Sequence, residues 1–267
     1  MNQRAWSILL GLSALFAPSG CGGAGGSYSA PSPQGVKNIA GNWQFSTASS
    51  MTGTSTLTLA GSINQSDRRI RGAIHVGGST CFDRMITVGL TGTLNGSDLL
   101  LTSSSVDGQV TTVTGTVSDT SFTGTYHING GCADGDQGSV IGTRVPSIAM
   151  QLQGIFTSSG HATFDAVLDI AQTGTSSSDG SYGITGTATF NTSCFGAGMI
   201  KSGTLSSGSF ILGSMVALEV ETGNGTLTFL GTLNGETSEI DGDFTISGGT
   251  CNSTGTAILS VSSLWDY

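Results

Sequence analysis

Phe122-Thr123-Gly124-Thr125-Tyr126-His127-Ile128-Asn129-Gly130-Gly131-Cys132 is the stretch that decides the fold. Phenylalanine, tyrosine and isoleucine fall on one parity, threonine and histidine on the other, and the run ends in an Asn-Gly-Gly turn before a cysteine. Period-two alternation of this kind marks a half-buried antiparallel strand, with one face on a core and the other in water. The stretch returns as Gly242-Asp243-Phe244-Thr245-Ile246-Ser247-Gly248-Gly249-Thr250-Cys251, with one residue inserted ahead of the cysteine. A second pair agrees with it, Ser79-Thr80-Cys81-Phe82 against Thr192-Ser193-Cys194-Phe195. The chain is therefore a tandem duplication, with copies over residues 39–146 and 150–267 meeting at Pro146-Ser147.

The same alternation runs outward through Thr56-Leu57-Thr58-Leu59 and Thr226-Leu227-Thr228-Phe229, punctuated by Asn95-Gly96 and Asn234-Gly235. In the first copy it predicts eight strands, beginning near Ile39, Ser55, Arg69, Ile86, Asp98, Val110, Ser121 and Gly138, with no segment of helical period. An all-β fold of two tandem eight-stranded antiparallel up-and-down barrels follows, because closure removes the sheet edges that invite aggregation. A pair of β-sandwiches is the alternative. Thr-Gly-Thr triplets at 91–93, 114–116, 123–125 and 185–187 fit a tightly curved sheet. Gly41-Asn42-Trp43 resembles the Gly-x-Trp opening of lipocalins and avidin-like barrels, a resemblance that implies a small up-and-down barrel and no particular ligand. The piece aligned with it in the second copy is Gly154-Ile155-Phe156.

Composition narrows the class. Charged residues are 9% of the 267, glycines number 43, prolines 4, and the net charge is -9. The few prolines and the lack of a Gly-X-Y period exclude collagen. So few basic residues argue against nucleic acid as a partner, since phosphate binding needs clustered Lys and Arg. The charge is uneven: the first copy carries five arginines against seven acids, and the second a single lysine against ten acids.

Five cysteines is an odd number for an exported chain. Arg4 followed by the apolar run 5–17 reads as a signal peptide over residues 1–20, too short to span a bilayer. Pro18-Ser19-Gly20-Cys21 then resembles the lipobox of bacterial lipoproteins, with Pro18 where that family usually carries leucine. The resemblance implies a fatty-acylated Cys21, a membrane partner reached through that anchor, and a cell-envelope location; Gly22 after the cysteine implies the outer membrane. Residues 21–38, rich in Gly, Ser and Pro, read as a tether. Four cysteines remain, which allow three pairings. Duplication selects Cys81–Cys132 and Cys194–Cys251, because each copy must have folded alone before it was doubled. No Cys-x-x-Cys is present, which disfavours zinc.

Catalytic chemistry has little to stand on. The sequence holds no Gly-x-Ser-x-Gly elbow, no His-Glu-x-x-His and no Walker loop, and nothing in it asks for a cofactor. His75, His127 and His161 read as surface residues. Arg69, Arg71 and His75 share the outer face of one strand with Arg68 in the turn beside them, a patch suited to an anion. Asp134-Gly135-Asp136 has the alternating oxygens that open a calcium loop, without a downstream glutamate to complete it. Glu239, Asp241 and Asp243 line an outer strand face. The reading is a lipid-anchored, non-catalytic envelope protein that binds a small molecule, a saccharide or another protein. A structural spacer is the alternative, with a transmembrane barrel and a hydrolase behind it. A barrel cavity of roughly 300 Å³ or more separates binder from spacer.

Overall fold

The computed structural model describes residues 37–50, 57–78, 81–82, 86–159, 162–194 and 196–261. The residues expected to form a signal segment, Cys21, nearly all of the expected tether, and His161 lie outside the described residues. Among the described residues every regular element is a β-strand.

The first copy contributes β1 (Gly41–Ser49), β2 (Thr58–Ser66), β3 (Arg69–Gly77), β4 (Ile86–Asn95), β5 (Asp98–Ser103), β6 (Val110–Val117), β7 (Ser121–Asn129) and β8 (Gln137–Val145). Each pairs antiparallel with the next, and β8 returns to β1 from Asn42↔Val145 to Ser49↔Gly138, so the sheet is a closed barrel and not a sandwich. Starts at Arg69, Ile86, Asp98, Val110 and Ser121 fall where the alternation placed them. Trp43, Phe45, Phe122, Tyr126 and Ile128 point inward and are buried. Trp43 Nε1 donates to the Ile39 carbonyl at 2.8 Å, which closes the barrel end where the chain enters. The triplets find their reason here. Gly115 and Gly124 face each other across β6 and β7, and a Cβ on either would come within 2.7 Å of the Phe122 ring. The inward glycines make room for an aromatic ring inside a narrow barrel.

The second copy contributes β9 (Ala149–Ser158), β10 (Phe164–Ser176), β11 (Tyr182–Asn191), β12 (Ala197–Ile200), β13 (Phe210–Leu212), β14 (Met215–Thr222), β15 (Gly225–Asn234), β16 (Glu239–Ser247) and β17 (Ser253–Val261). It too closes as an eight-stranded antiparallel barrel, through β10–β11 and β17–β9. One strand position is shared. β12 and β13 both lie between β11 and β14, at different heights, and residues 201–209 leave the sheet between them as a tight turn closed by Thr204 and Ser207. Gly203-Thr204-Leu205, although it resembles Gly92-Thr93-Leu94 of β4 in sequence, therefore lies in an insertion and not in a strand. The insertion has the same Gly/Ser/Thr composition as the strands around it, which is why the sequence hides it.

Pairing also corrects the alignment of the two openings. Ser49 pairs with Gly138, which pairs with Tyr126; Ser158 pairs with Gly255, which pairs with Phe244. Counting back along β1 and β9, Leu152 is the counterpart of Trp43 and Phe156 that of Thr47. Gly154-Ile155-Phe156 thus sits four residues further along its strand than the counterpart of Gly41-Asn42-Trp43, which is Met150-Gln151-Leu152.

Each barrel has its own buried core and one disulfide. Cys81–Cys132 joins the β3–β4 and β7–β8 connections, and Cys194–Cys251 joins the equivalent connections of the second copy. The outer face of β1–β3 meets one end of the second barrel. Asn42 Nδ2 donates to the Gly213 carbonyl at 2.9 Å and Asn42 Oδ1 accepts from the Gly213 amide at 2.8 Å. Gln44 Oε1 accepts from the Ser214 amide. The β10–β11 loop lies against β2 and β3 so closely that a Cβ on Gly180 would stand 2.2 Å from the Ala73 carbonyl oxygen. Its φ of +87° is also one that L side chains rarely adopt.

Candidate functional site

The disulfide end of the first barrel is its polar end. Asp136 is buried, accepting hydrogen bonds from the Ser49 hydroxyl and, at 3.1 Å, from the Tyr126 hydroxyl. Burial raises the Tyr126 phenol above its ordinary value, and the nearby Asp136 carboxylate adds to the rise. Gln109, also buried, accepts from the Ala133 amide through Oε1, while its Nε2 has no hydrogen-bond partner. Gln109 and Tyr126 line a cavity with Thr47, Leu57, Val76 and Phe82, and its volume is about 30 Å³. That admits one or two waters and no organic ligand.

The second barrel is sealed at the same end. Phe156, Phe164, Phe190 and Phe244 stand where the first has Thr47, Leu57, Val76 and Tyr126. Phe156 stacks on Phe164 at 5.0 Å and meets Phe244 edge-on at 5.2 Å. Packed rings of this kind bury large apolar area, and the hollow beside them, lined by Phe164, Ile246 and the Cys194–Cys251 bridge, measures about 140 Å³. Among the described residues, neither interior holds the roughly 300 Å³ chamber of a ligand pocket.

The open volume lies between the barrels. A cleft of about 580 Å³ is bounded by Gln44 and Ser46 of β1, Ile141, Thr143 and Arg144 of β8, the linker Val145-Pro146, and Leu233, Asn234 and Glu236 of the second copy. The size falls within the range of small-molecule sites, which favour domain junctions. Its lining mixes apolar Ile141, Pro146 and Leu233 with amides, hydroxyls and one charge of each sign. Arg144 donates to the Ala40 carbonyl, which fixes the guanidinium at the cleft's edge. The sequence offered no signal that these residues converge: its walls come from both copies, and those that belong to a pattern, Pro146 of the joint and Asn234 of a hairpin turn, read as connections.

The residues singled out in the sequence fall in other places. Arg68, Arg69 and Arg71 are exposed at the β2–β3 turn and along β3. His75, expected on the surface, is 3% exposed. It does point out of its own barrel, but the second barrel's β10–β11 loop covers it. Its Nε2 is 2.8 Å from the Thr87 hydroxyl. Burial lowers the imidazole below its ordinary value, and Asp179 pulls it partly back. Burial pushes Asp179 upward, yet hydrogen bonds from the Ser181 hydroxyl and amide, the Leu205 amide and the Ser177 hydroxyl outweigh it and hold the carboxyl low. His127 is half-buried on the outer face of β7. Asp134 and Asp136 do not converge: Asp134 accepts from the Gly130 amide within its own turn, and Asp136 faces Tyr126. Among the described residues no group of three or more His, Cys, Asp or Glu is placed to hold a metal ion. Asp241 and Asp243 stand exposed on β16 beside half-buried Glu239.

No protein-family model matches the chain, and no curated protein matches it. Among solved structures it is similar to kievitone hydratase from Nectria haematococca, at 7% identity and a TM-score of 0.25, over 84% of this chain and 90% of that one. A likeness so slight carries no argument about activity.

Proposed function

We propose that the chain is a lipid-anchored cell-envelope binding protein, non-catalytic, whose ligand site is the cleft between its two barrels. One observation carries this reading: the barrel interiors are packed, while the junction opens about 580 Å³ between walls that the two disulfide-braced barrels supply. Hydroxyl, amide and apolar groups together suit a small neutral ligand or a saccharide. The two disulfides fit an oxidising compartment. Apolar residues face inward and threonines outward, the reverse of a membrane-spanning barrel, which favours an anchored protein over a transmembrane one.

The test is native mass spectrometry of the chain purified from its own envelope, beside Ser46→Trp, which places an indole in the cleft. The expected result is a non-covalent companion on the native chain and none on the variant, with acyl mass on Cys21 in both. A chain with no companion, or one that Ser46→Trp retains, overturns the cleft as the binding site. The filled interiors themselves favour a second reading, a structural spacer, and that is what a bare chain would leave standing.

A further inference from the structure

The end of the first barrel at which the chain enters has a charge character of its own. Lys37 is held there: its carbonyl accepts from Gln65 Nε2 at 2.7 Å, and its Nζ donates to the Val117 carbonyl at 3.3 Å on the far side of the barrel. Gln65 also holds the Ile39 amide and the Asp67 carbonyl. The entry point is thereby tied to the β2–β3 turn that carries Arg68 and Arg69, with Arg71 one outward position further along β3. All three arginines are exposed, and among the described residues none is in a salt bridge.

We propose that this end, through Arg68, Arg69, Arg71 and Lys37, docks on the anionic phospholipid headgroups of the membrane to which Cys21 is anchored. The proposal rests on the anchored reading above, and the location of the entry point supports it. Covalent geometry lets residues 22–36 reach at most about 50 Å, and they join the barrel at the end bearing Lys37, so that end can come down on the bilayer that anchors Cys21. Asp67, Asp98 and Asp119 lie at the same end, and Glu236 of the second copy lines the cleft with Arg144; these four acids reduce the charge of Lys37 and the four arginines without reversing it. The first barrel's other end carries Asp107, Asp134 and Asp136. The second copy, with one lysine against ten acids, is repelled by the same surface. Attraction at one end and repulsion elsewhere fix an orientation, basic end down. Each basic side chain at an anionic surface contributes about a fivefold preference.

The experiment couples the full-length unacylated chain through its Cys21 thiol to maleimide lipid in vesicles, either phosphatidylcholine alone or phosphatidylcholine with 30% phosphatidylglycerol. Modification of Arg68, Arg69 and Arg71 by phenylglyoxal is followed by peptide mass spectrometry, in 50 mM and in 1 M salt. Expected is a several-fold slower modification on the anionic vesicles at low salt. The difference should vanish at 1 M, where screening is complete within about 3 Å. Equal rates on the two vesicle types at low salt overturn the proposal, as does protection that persists at 1 M. A second measurement guards against a change in arginine reactivity alone. Hydrogen exchange at the β2–β3 turn should slow on anionic vesicles for the native chain and not for Arg68→Gln/Arg69→Gln/Arg71→Gln; equal slowing in both also overturns it. Because the coupling is chemical, missing acyl mass on Cys21 in the native protein sinks the anchored reading without touching this comparison, and the converse holds.

Discussion

Asn42→Ala is the sharpest test of how the two barrels are joined. The side-chain amide of Asn42, 2% exposed, makes a closed pair with the Gly213 peptide, one bond of 2.9 Å and one of 2.8 Å. Removing it deletes two hydrogen bonds and leaves the Gly213 N–H and C=O without partners. At about 1–3 kcal/mol for each buried group left unsatisfied, the cost is about 2–6 kcal/mol. Water entering the vacated space moves the result toward the lower figure. Urea unfolding, followed by Trp43 fluorescence and by far-ultraviolet circular dichroism, measures it. The junction loses more than either core, so the variant is expected to show a lower midpoint and transitions by the two probes that no longer coincide. Asn42→Asp is the companion: it keeps an acceptor for the Gly213 amide but sets a carboxylate against the Gly213 carbonyl, and is expected to be the worse of the two at pH 7. If Asn42→Ala unfolds within about 0.5 kcal/mol of the native chain, as an ordinary surface change would, the junction is not held by this pair and the argument fails.

Three further outcomes follow from the same structure. Cys81→Ser with Cys132→Ser opens a loop with a sequence separation of 51 and should cost about 4 kcal/mol in the chain-entropy model; a loss below about 1 kcal/mol in calorimetry would contradict it. His75 has its folded-state value lowered by burial, so the unfolded chain takes up a proton first. Stability should be complete above the unfolded value and fall as pH drops below about 6.5. In urea titrations His75→Gln should flatten that decline, and an unchanged decline would assign it to other groups. Tyr126→Phe removes one of the two hydrogen bonds to the buried Asp136 and should cost about 1–3 kcal/mol by thermal unfolding, with a gain in stability as the refuting result.

Strand alternation made the barrels legible because a barrel interior of this width demands an apolar residue at every second position, and duplication displayed the rule twice. The cysteine pairing was legible for the same reason. The junction was not. Asn42 lies within Gly41-Asn42-Trp43, where the tryptophan draws attention and the asparagine reads as an ordinary outward residue. His75 shows the limit most plainly: alternation correctly sent it outward, but no local pattern reports that a loop over a hundred residues later covers that face. The Gln109 amide was equally hidden, since burial of a polar side chain outside a strand leaves no period to read.

The junction also bears on how the duplication works. The face that the first copy offers includes Asn42, Gln44 and Ala60, while the second answers with a turn at Gly213 and a loop at Gly180. Different surfaces meet, so the contact is heterologous, of the kind that does not close on itself when repeated between separate chains. A symmetric dimer ancestor would have left the same patch on both sides. Counting along the paired strands, the second copy's counterparts of Asn42 and Ser46 are Gln151 and Ile155, both exposed, the latter at 56%. The receiving face is thus occupied in the first copy and exposed in the second among the described residues. Fusion turns an otherwise open-ended contact into one within the same chain, and that junction is where the cleft lies.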